Sequence, residues 1–121
     1  MAAPRWARAL ARQVALDHGR AEPPRLYWDR ESDGKTLGGC QPPDLDSQDA
    51  KLRAGEIFIA EGLDEPGERY ILIHELAHWL LPAREGHGFR FNQTASELYR
   101  QHMPPFSPSV RPLYLKTATI E

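Results

Sequence analysis

Apolar side chains recur every three or four residues in three segments of the chain, the spacing of one face of a helix. In the first segment Trp6, Leu10 and Val14 form an apolar stripe, and the nearby arginines fall mostly on other faces. The second segment ends at Pro82, because proline lacks an amide hydrogen and its ring blocks the preceding turn. The pattern predicts helices over residues 4–18, from about 68 to 81, and from about 89 to 102.

Short runs of β-branched and aromatic residues predict strands between the first two helices. The strongest run covers residues 55–60 and has the character of an exposed edge strand. Weaker runs cover residues 25–28 and 35–37, with a turn signal at 33–34 between them. The polar segment 41–54 is expected to be a surface loop.

Two further segments are rich in turn-forming residues. Residues 62–67 are expected to form an acidic turn, because the segment contains Pro66 between two glycines. The tail after residue 102 contains four prolines and is expected to be extended rather than helical. Within it, residues 110–115 could form an edge strand or a strap across the surface, and the tail as a whole could even cover a cleft of the domain.

Composition narrows the class of protein. The 121 residues suit one domain, expected to span 1–121, and the 15 lysines and arginines against 17 acids give a net charge of −2. We therefore expect no direct binding of nucleic acid. No apolar stretch is long enough to cross a membrane, and we expect a cytoplasmic monomer. The single cysteine excludes an internal disulfide and a Cys-rich zinc cluster, so any metal must be held by His, Asp or Glu.

The second predicted helix carries an H-E-x-x-H motif formed by His74, Glu75 and His78. Residues i and i+4 share one helical face, so both imidazoles can point at one metal ion. In zinc peptidases of this pattern the glutamate lies beside the metal-bound water and acts as general base. The alternative is a buried helix with two hydrogen-bonded core histidines, but such a row would need several polar partners.

A catalytic zinc site needs a third protein ligand, and His87 is the first choice. Pro82 makes the chain turn after the helix, and Gly86 and Gly88 allow the backbone around His87 to bend back toward the metal. The competing ligand is Glu97 on the next helix, as in gluzincin-type sites.

These residues resemble the pattern of SprT-like zinc metallopeptidases. In that pattern H-E-x-x-H is followed by H-G-x-x-F, which corresponds here to residues 74–78 and 87–91. The chain also resembles small metallohydrolases of actinobacteria and their phages. Residues 37–40 and 55–60 are similar to strands of SprT-like domains, so the likeness covers roughly residues 25–102.

The resemblance implies an α+β, minimal zincin-like fold. Such a fold has an N-terminal helix, a small mixed sheet, the H-E-x-x-H helix and a following helix whose start supplies the third histidine. The corresponding parts are residues 1–20, a metallopeptidase core at 25–102 and a Pro-rich tail at 103–121. Phe91 would then pack in the core below the site. The single cysteine and the net charge of −2 depart from larger relatives that carry a zinc ribbon and basic DNA-binding segments.

The expected function is that of a zinc metallopeptidase acting on a protein or peptide. One catalytic Zn²⁺ would be held by His74, His78 and His87, and a zinc-bound water would hydrolyse a peptide bond with Glu75 as general base. Imidazole ligands also suit other transition metals. The substrate would add as a strand to residues 55–60. Alternatives are a non-peptide amide hydrolase, a regulator-cleaving gluzincin that uses Glu97, and a non-catalytic zinc-stabilised binding module.

The remaining candidates have weaker support. Cys40 is interpreted as a small buried residue rather than a ligand, and His18 as a structural residue at a helix end. A donor that stabilises an oxyanion could come from Tyr99, His102 or Tyr114, and the sequence does not choose among them.

Overall fold

One mixed sheet and three helices make up the described part of this computed structural model, which covers residues 2–29, 36–44, 52–103 and 119–120. It is an α+β fold. The elements in chain order are α1 (Arg5–Asp17), β1 (Arg25–Asp29), β2 (Thr36–Cys40), β3 (Glu56–Ala60), α2 (Glu65–Leu80), a 3₁₀ turn (Ala83–Glu85), α3 (Phe89–His102) and β4 (Thr119–Ile120).

The three predicted helices are confirmed, but α2 begins earlier than its apolar spacing indicated. Asp64 is its N-cap, and the Asp64 carboxylate accepts a hydrogen bond from the Gly67 amide at 3.0 Å. Pro66 lies in the first helical turn, where its missing amide hydrogen costs nothing. The predicted acidic turn at 62–67 was therefore wrong from residue 65 onward.

The strand order in the sheet is β1-β3-β2-β4. On one side β3 pairs in parallel with β1, where Leu26 is opposite Ile57. On the other side it pairs antiparallel with β2, where Gly39 is opposite Phe58. The prediction that β3 is an exposed edge strand was wrong, because it has a neighbour on each side and Ile57 and Ile59 are fully buried.

Two other predictions about strands need comment. The turn signal at 33–34 lies outside the described residues, and the two strands that flank it are not neighbours in the sheet. The candidate strand at 110–115 also lies outside them. A strand from the tail is present at Thr119–Ile120, where β4 pairs in parallel with β2.

Helix α2 occupies the centre of the core. Ile71, Leu72, Ile73 and Leu76 have no exposed surface, and the helix packs against β2, β3, α1 and α3. A helix that is apolar on nearly all sides has to be buried by several neighbours. The H-E-x-x-H segment is consequently fixed from several directions.

A second buried acid lies on α2, one turn after its start. The Glu68 carboxylate accepts a hydrogen bond from the Trp28 indole nitrogen of β1 at 3.2 Å. Burial raises the pKa of Glu68 above its ordinary value, although the indole hydrogen bond partly opposes this.

Among the described residues, no helix is long and apolar enough to span a bilayer.

Candidate metal centre

The imidazoles of three histidines converge at one end of the α2–α3 pair. His74 and His78 lie one turn apart on α2, and His87 comes from the loop before α3. The Nε2 atom of His87 lies 3.0 Å from that of His78 and 3.2 Å from that of His74. The two helical histidines are half-buried and His87 is exposed, so the cluster opens to solvent on one side.

The spacing of these nitrogens fits a zinc ion. Zn²⁺ binds imidazole at about 2.0–2.1 Å in a tetrahedron, which puts two nitrogen ligands about 3.3 Å apart. The His87–His78 and His87–His74 separations of 3.0 and 3.2 Å are close to that value, and the donor atoms of all three histidines lie within 4.8 Å of one another. Among the described residues no fourth donor joins the three imidazoles, and a tetrahedral ion with three protein ligands has one position left for a non-protein ligand, as in catalytic zinc sites.

Phe91 supports all three imidazoles from below. Its ring is stacked on His78 with a centroid distance of 4.2 Å, and it meets His74 and His87 edge-on at 4.9 and 5.0 Å. Only 4% of the Phe91 side chain is exposed. The position below the site that the family resemblance implied is therefore confirmed, and the ring restricts the orientation of each histidine.

The loop that carries His87 is held by its own contacts. Gly86 has a φ of +48°, a conformation that side-chain-bearing residues rarely adopt. The Asn92 side chain donates to the His87 carbonyl at 3.3 Å, and Arg90 forms a 2.9 Å ion pair with Glu85. The Gly86 conformation, the contact to the His87 carbonyl and the ion pair that spans His87 hold the chain in its return toward α2 after the helix ends.

Glu75 lies between the histidines and the sheet. Its side chain has no exposed surface. A Cβ added at Gly38 of β2 would come within 3.1 Å of the Glu75 Oε2 atom and would overlap the Ile71 side chain. Because Gly38 has no side chain, the strand can pack closely against the Glu75 carboxylate. Strand β2 therefore lies directly over the centre of the H-E-x-x-H segment.

Glu97, the competing third ligand, is placed elsewhere. It is exposed on α3, and among the described residues the converging group of donors consists of the three histidines without it. The geometry therefore favours His87 as the third ligand.

The other sequence candidates do not join the cluster. Cys40 is the last residue of β2. Burial raises the pKa of its thiol, and the nearby Glu75 carboxylate raises it further, so the thiol stays protonated. Tyr99 is buried and stacks on a tyrosine of α2, and His102 lies at the far end of α3. His18 caps α1 and its Nδ1 bonds the Val14 carbonyl at 2.8 Å. Tyr114 lies outside the described residues.

Sequence reasoning missed three contributors to the site. Gly38 was noticed only as a place of permissive backbone, and Asn92 was not considered. The Asp44 carboxylate accepts from the Ala83 amide at 3.0 Å, which ties the loop after β2 to the start of the His87 loop. Only the glycine pair at 38–39 carried a usable signal, since glycine inside a strand often marks a close approach.

An open cleft lies away from the histidines. It has a volume of about 490 Å³, and its lining includes Arg20, Arg25, Arg53, Glu56 and Trp79. None of the three histidines of the cluster lines this cleft. No protein-family model, curated protein or solved structure matches the chain.

Proposed function

We propose that this protein is a zinc-dependent metallopeptidase of the H-E-x-x-H type, with a minimal zincin-like core similar to that of SprT-like enzymes. The observation that supports this most strongly is the convergence of three imidazoles, with the His87 nitrogen 3.0 and 3.2 Å from those of His78 and His74, close to the ligand spacing of a tetrahedral zinc site. His74, His78 and His87 would hold the ion. When bound, Zn²⁺ supplies a Lewis acid and lowers the pKa of water to about 7.

Glu75 is the proposed general base. It would take a proton from the attacking water and pass it to the amine that leaves when the C–N bond breaks, so one water is consumed for each peptide bond. A carboxylate buried next to the metal ligands suits this role, because burial of an acid is costly and seldom retained without a use.

A non-catalytic zinc-stabilised binding module is the second candidate. Structural zinc sites usually have four protein ligands, and in the described residues three donors converge here. The open fourth position favours catalysis. The gluzincin alternative is less consistent with the exposed position of Glu97.

The test uses purified protein stripped with a chelator and reloaded with one equivalent of Zn²⁺. Hydrolysis of unfolded, fluorescein-labelled casein should disappear on stripping and return with the metal. Glu75→Gln should keep its zinc, measured by elemental analysis, and lose at least about 100-fold in kcat. Glu22→Gln, an exposed control with the same change of side chain, should behave as the unmodified protein.

Two results would count against the peptidase. Zinc bound at one equivalent with no cleavage by the unmodified protein would favour the binding module. Equal cleavage by Glu75→Gln and the unmodified protein would remove Glu75 from the mechanism.

A further inference from the structure

The strand that lies over Glu75 has its outer edge occupied by this chain's own tail. Gly38 of β2 approaches the Glu75 carboxylate, and the same residue is paired with Ile120 of β4. On its other side β2 is paired with β3, so β4 takes the edge that would otherwise be open. An extended peptide that reached this edge would lie beside the H-E-x-x-H segment.

The pairing between β2 and β4 is short and irregular. It joins Thr36 to Thr119 and Gly38 to Ile120, so two residue steps on β2 are matched by one on β4. Such a bulged two-residue strand provides few backbone hydrogen bonds. Its apolar anchor is Ile120, which is half-buried against the core. An occupant held this weakly can be exchanged for a longer peptide.

Glu75 is covered on the side of the sheet. Neither of its carboxylate oxygens has accessible surface, and the backbone of β2 at Gly38 lies against it. A peptide paired with the outer edge of β2 would therefore lie close to this carboxylate, and β4 is the element that it would displace.

We propose that the outer edge of β2 is the peptide-binding edge of the enzyme and that residues 119–120 occupy it as an internal competitor. An extended protein substrate would displace β4 and pair with the same backbone, as in other cases of strand addition. This inference rests on the proposed peptidase function for its substrate. The exchange at the edge can nevertheless be measured by binding alone.

The test compares the full chain, a variant that ends at residue 118, and Ile120→Ser. Leu16→Ser is the matched control, since Leu16 is an exposed aliphatic residue on α1, 64% accessible and far along the chain from β4. All carry Glu75→Gln for binding, so that no peptide is cut. The probe is a fluorescein-labelled synthetic peptide with the sequence of residues 116–121, followed by fluorescence anisotropy.

The probe should bind the shortened chain and Ile120→Ser about three- to tenfold more tightly than the full chain or Leu16→Ser. Unlabelled, unfolded casein should displace it, because the edge recognises extended backbone rather than one sequence. With Glu75 intact, the same two variants should cleave labelled casein faster than the full chain by a similar factor.

Three results would overturn the proposal. The first is equal affinity of the probe for all chains, and the second is failure of casein to displace it. The third is a marked loss of thermal stability in Ile120→Ser and the shortened chain, which would make β4 a structural strand. The expected binding pattern without any cleavage would support exchange at the edge and refute the peptidase function, so the two ideas fail separately.

Discussion

Replacement of Gly38 by alanine tests whether β2 and the H-E-x-x-H helix are packed as closely as the structure indicates. An added Cβ would overlap Ile71 Cγ2, and it would lie 3.1 Å from Glu75 Oε2 and 3.4 Å from the Phe58 carbonyl oxygen. Carbon atoms pack best at about 3.5–4.0 Å, so either the strand or the Ile71 side chain has to move by about 1 Å.

The expected cost follows from that overlap. Overpacking of a buried site costs about 1–3 kcal/mol, and Gly38→Ala should lower the free energy of unfolding by about 2 kcal/mol. With a urea m-value of about 2 kcal/mol/M, the midpoint should fall by about 1 M. Tryptophan fluorescence in urea, with a chelator present throughout, measures this without a contribution from metal binding.

A double-mutant cycle identifies the cause. Ile71→Ala alone should cost about 2–5 kcal/mol, but it removes the methyl group that Gly38→Ala would overlap. The double variant should therefore be more stable than the sum of the single effects by at least about 1 kcal/mol. Leu98→Ala, a truncation at a buried position of α3, is the control and should add to Gly38→Ala within about 0.5 kcal/mol. If the effects of Gly38→Ala and Ile71→Ala on the free energy of unfolding also added, the close approach of β2 and α2 would be refuted.

Three other predictions concern the ligands, their support and the second buried acid. His87→Ala should weaken zinc binding by more than about 100-fold in a chelator competition assay, whereas Glu97→Ala should leave it unchanged; the reverse would restore the gluzincin alternative. Phe91→Leu should weaken zinc affinity by about tenfold, since the imidazoles lose their common support, and unchanged affinity would limit Phe91 to packing. Because burial raises the pKa of Glu68, the folded protein keeps the proton of this carboxyl group to a higher pH than the unfolded chain does. The free energy of unfolding should therefore fall as the pH rises from 4.5 through the pKa of Glu68 in the folded state. Glu68→Gln keeps an oxygen for the Trp28 indole and should remove that slope from urea unfolding measured with chelator, so an unchanged slope would contradict the assignment.

The helices could be predicted from the sequence because their signals are local. The three-to-four spacing around Trp6 and Val14 and the stop at Pro82 both act within one or two turns. The start of α2 was misjudged for a reason that is also local. Asp64 and Pro66 are helix-starting residues, but between two glycines they were interpreted as a turn.

The three histidines of the candidate metal centre were predictable for a different reason. Helical geometry alone places His74 and His78 on one face, and the turn at Pro82 with the glycines on either side of His87 indicated the third histidine. What the sequence could not supply was the support. The Asn92 contact with the His87 carbonyl and the stacking of Phe91 on the imidazoles depend on how α3 packs against α2, which no local pattern specifies.

The order of the strands was beyond the sequence, and it changes which strand lies next to the candidate site. Residues 55–60 have the β-branched character of a core strand, but pattern alone does not say whether a neighbour lies on one side or both. The structure puts that strand inside the sheet and brings β2 over Glu75 instead. Two glycines give β2 little side-chain signal of its own, yet their small size is what allows its backbone to approach the carboxylate. The strand with the weakest apolar pattern is thus the one whose backbone lies closest to Glu75, because residues without side chains leave the room that this approach needs.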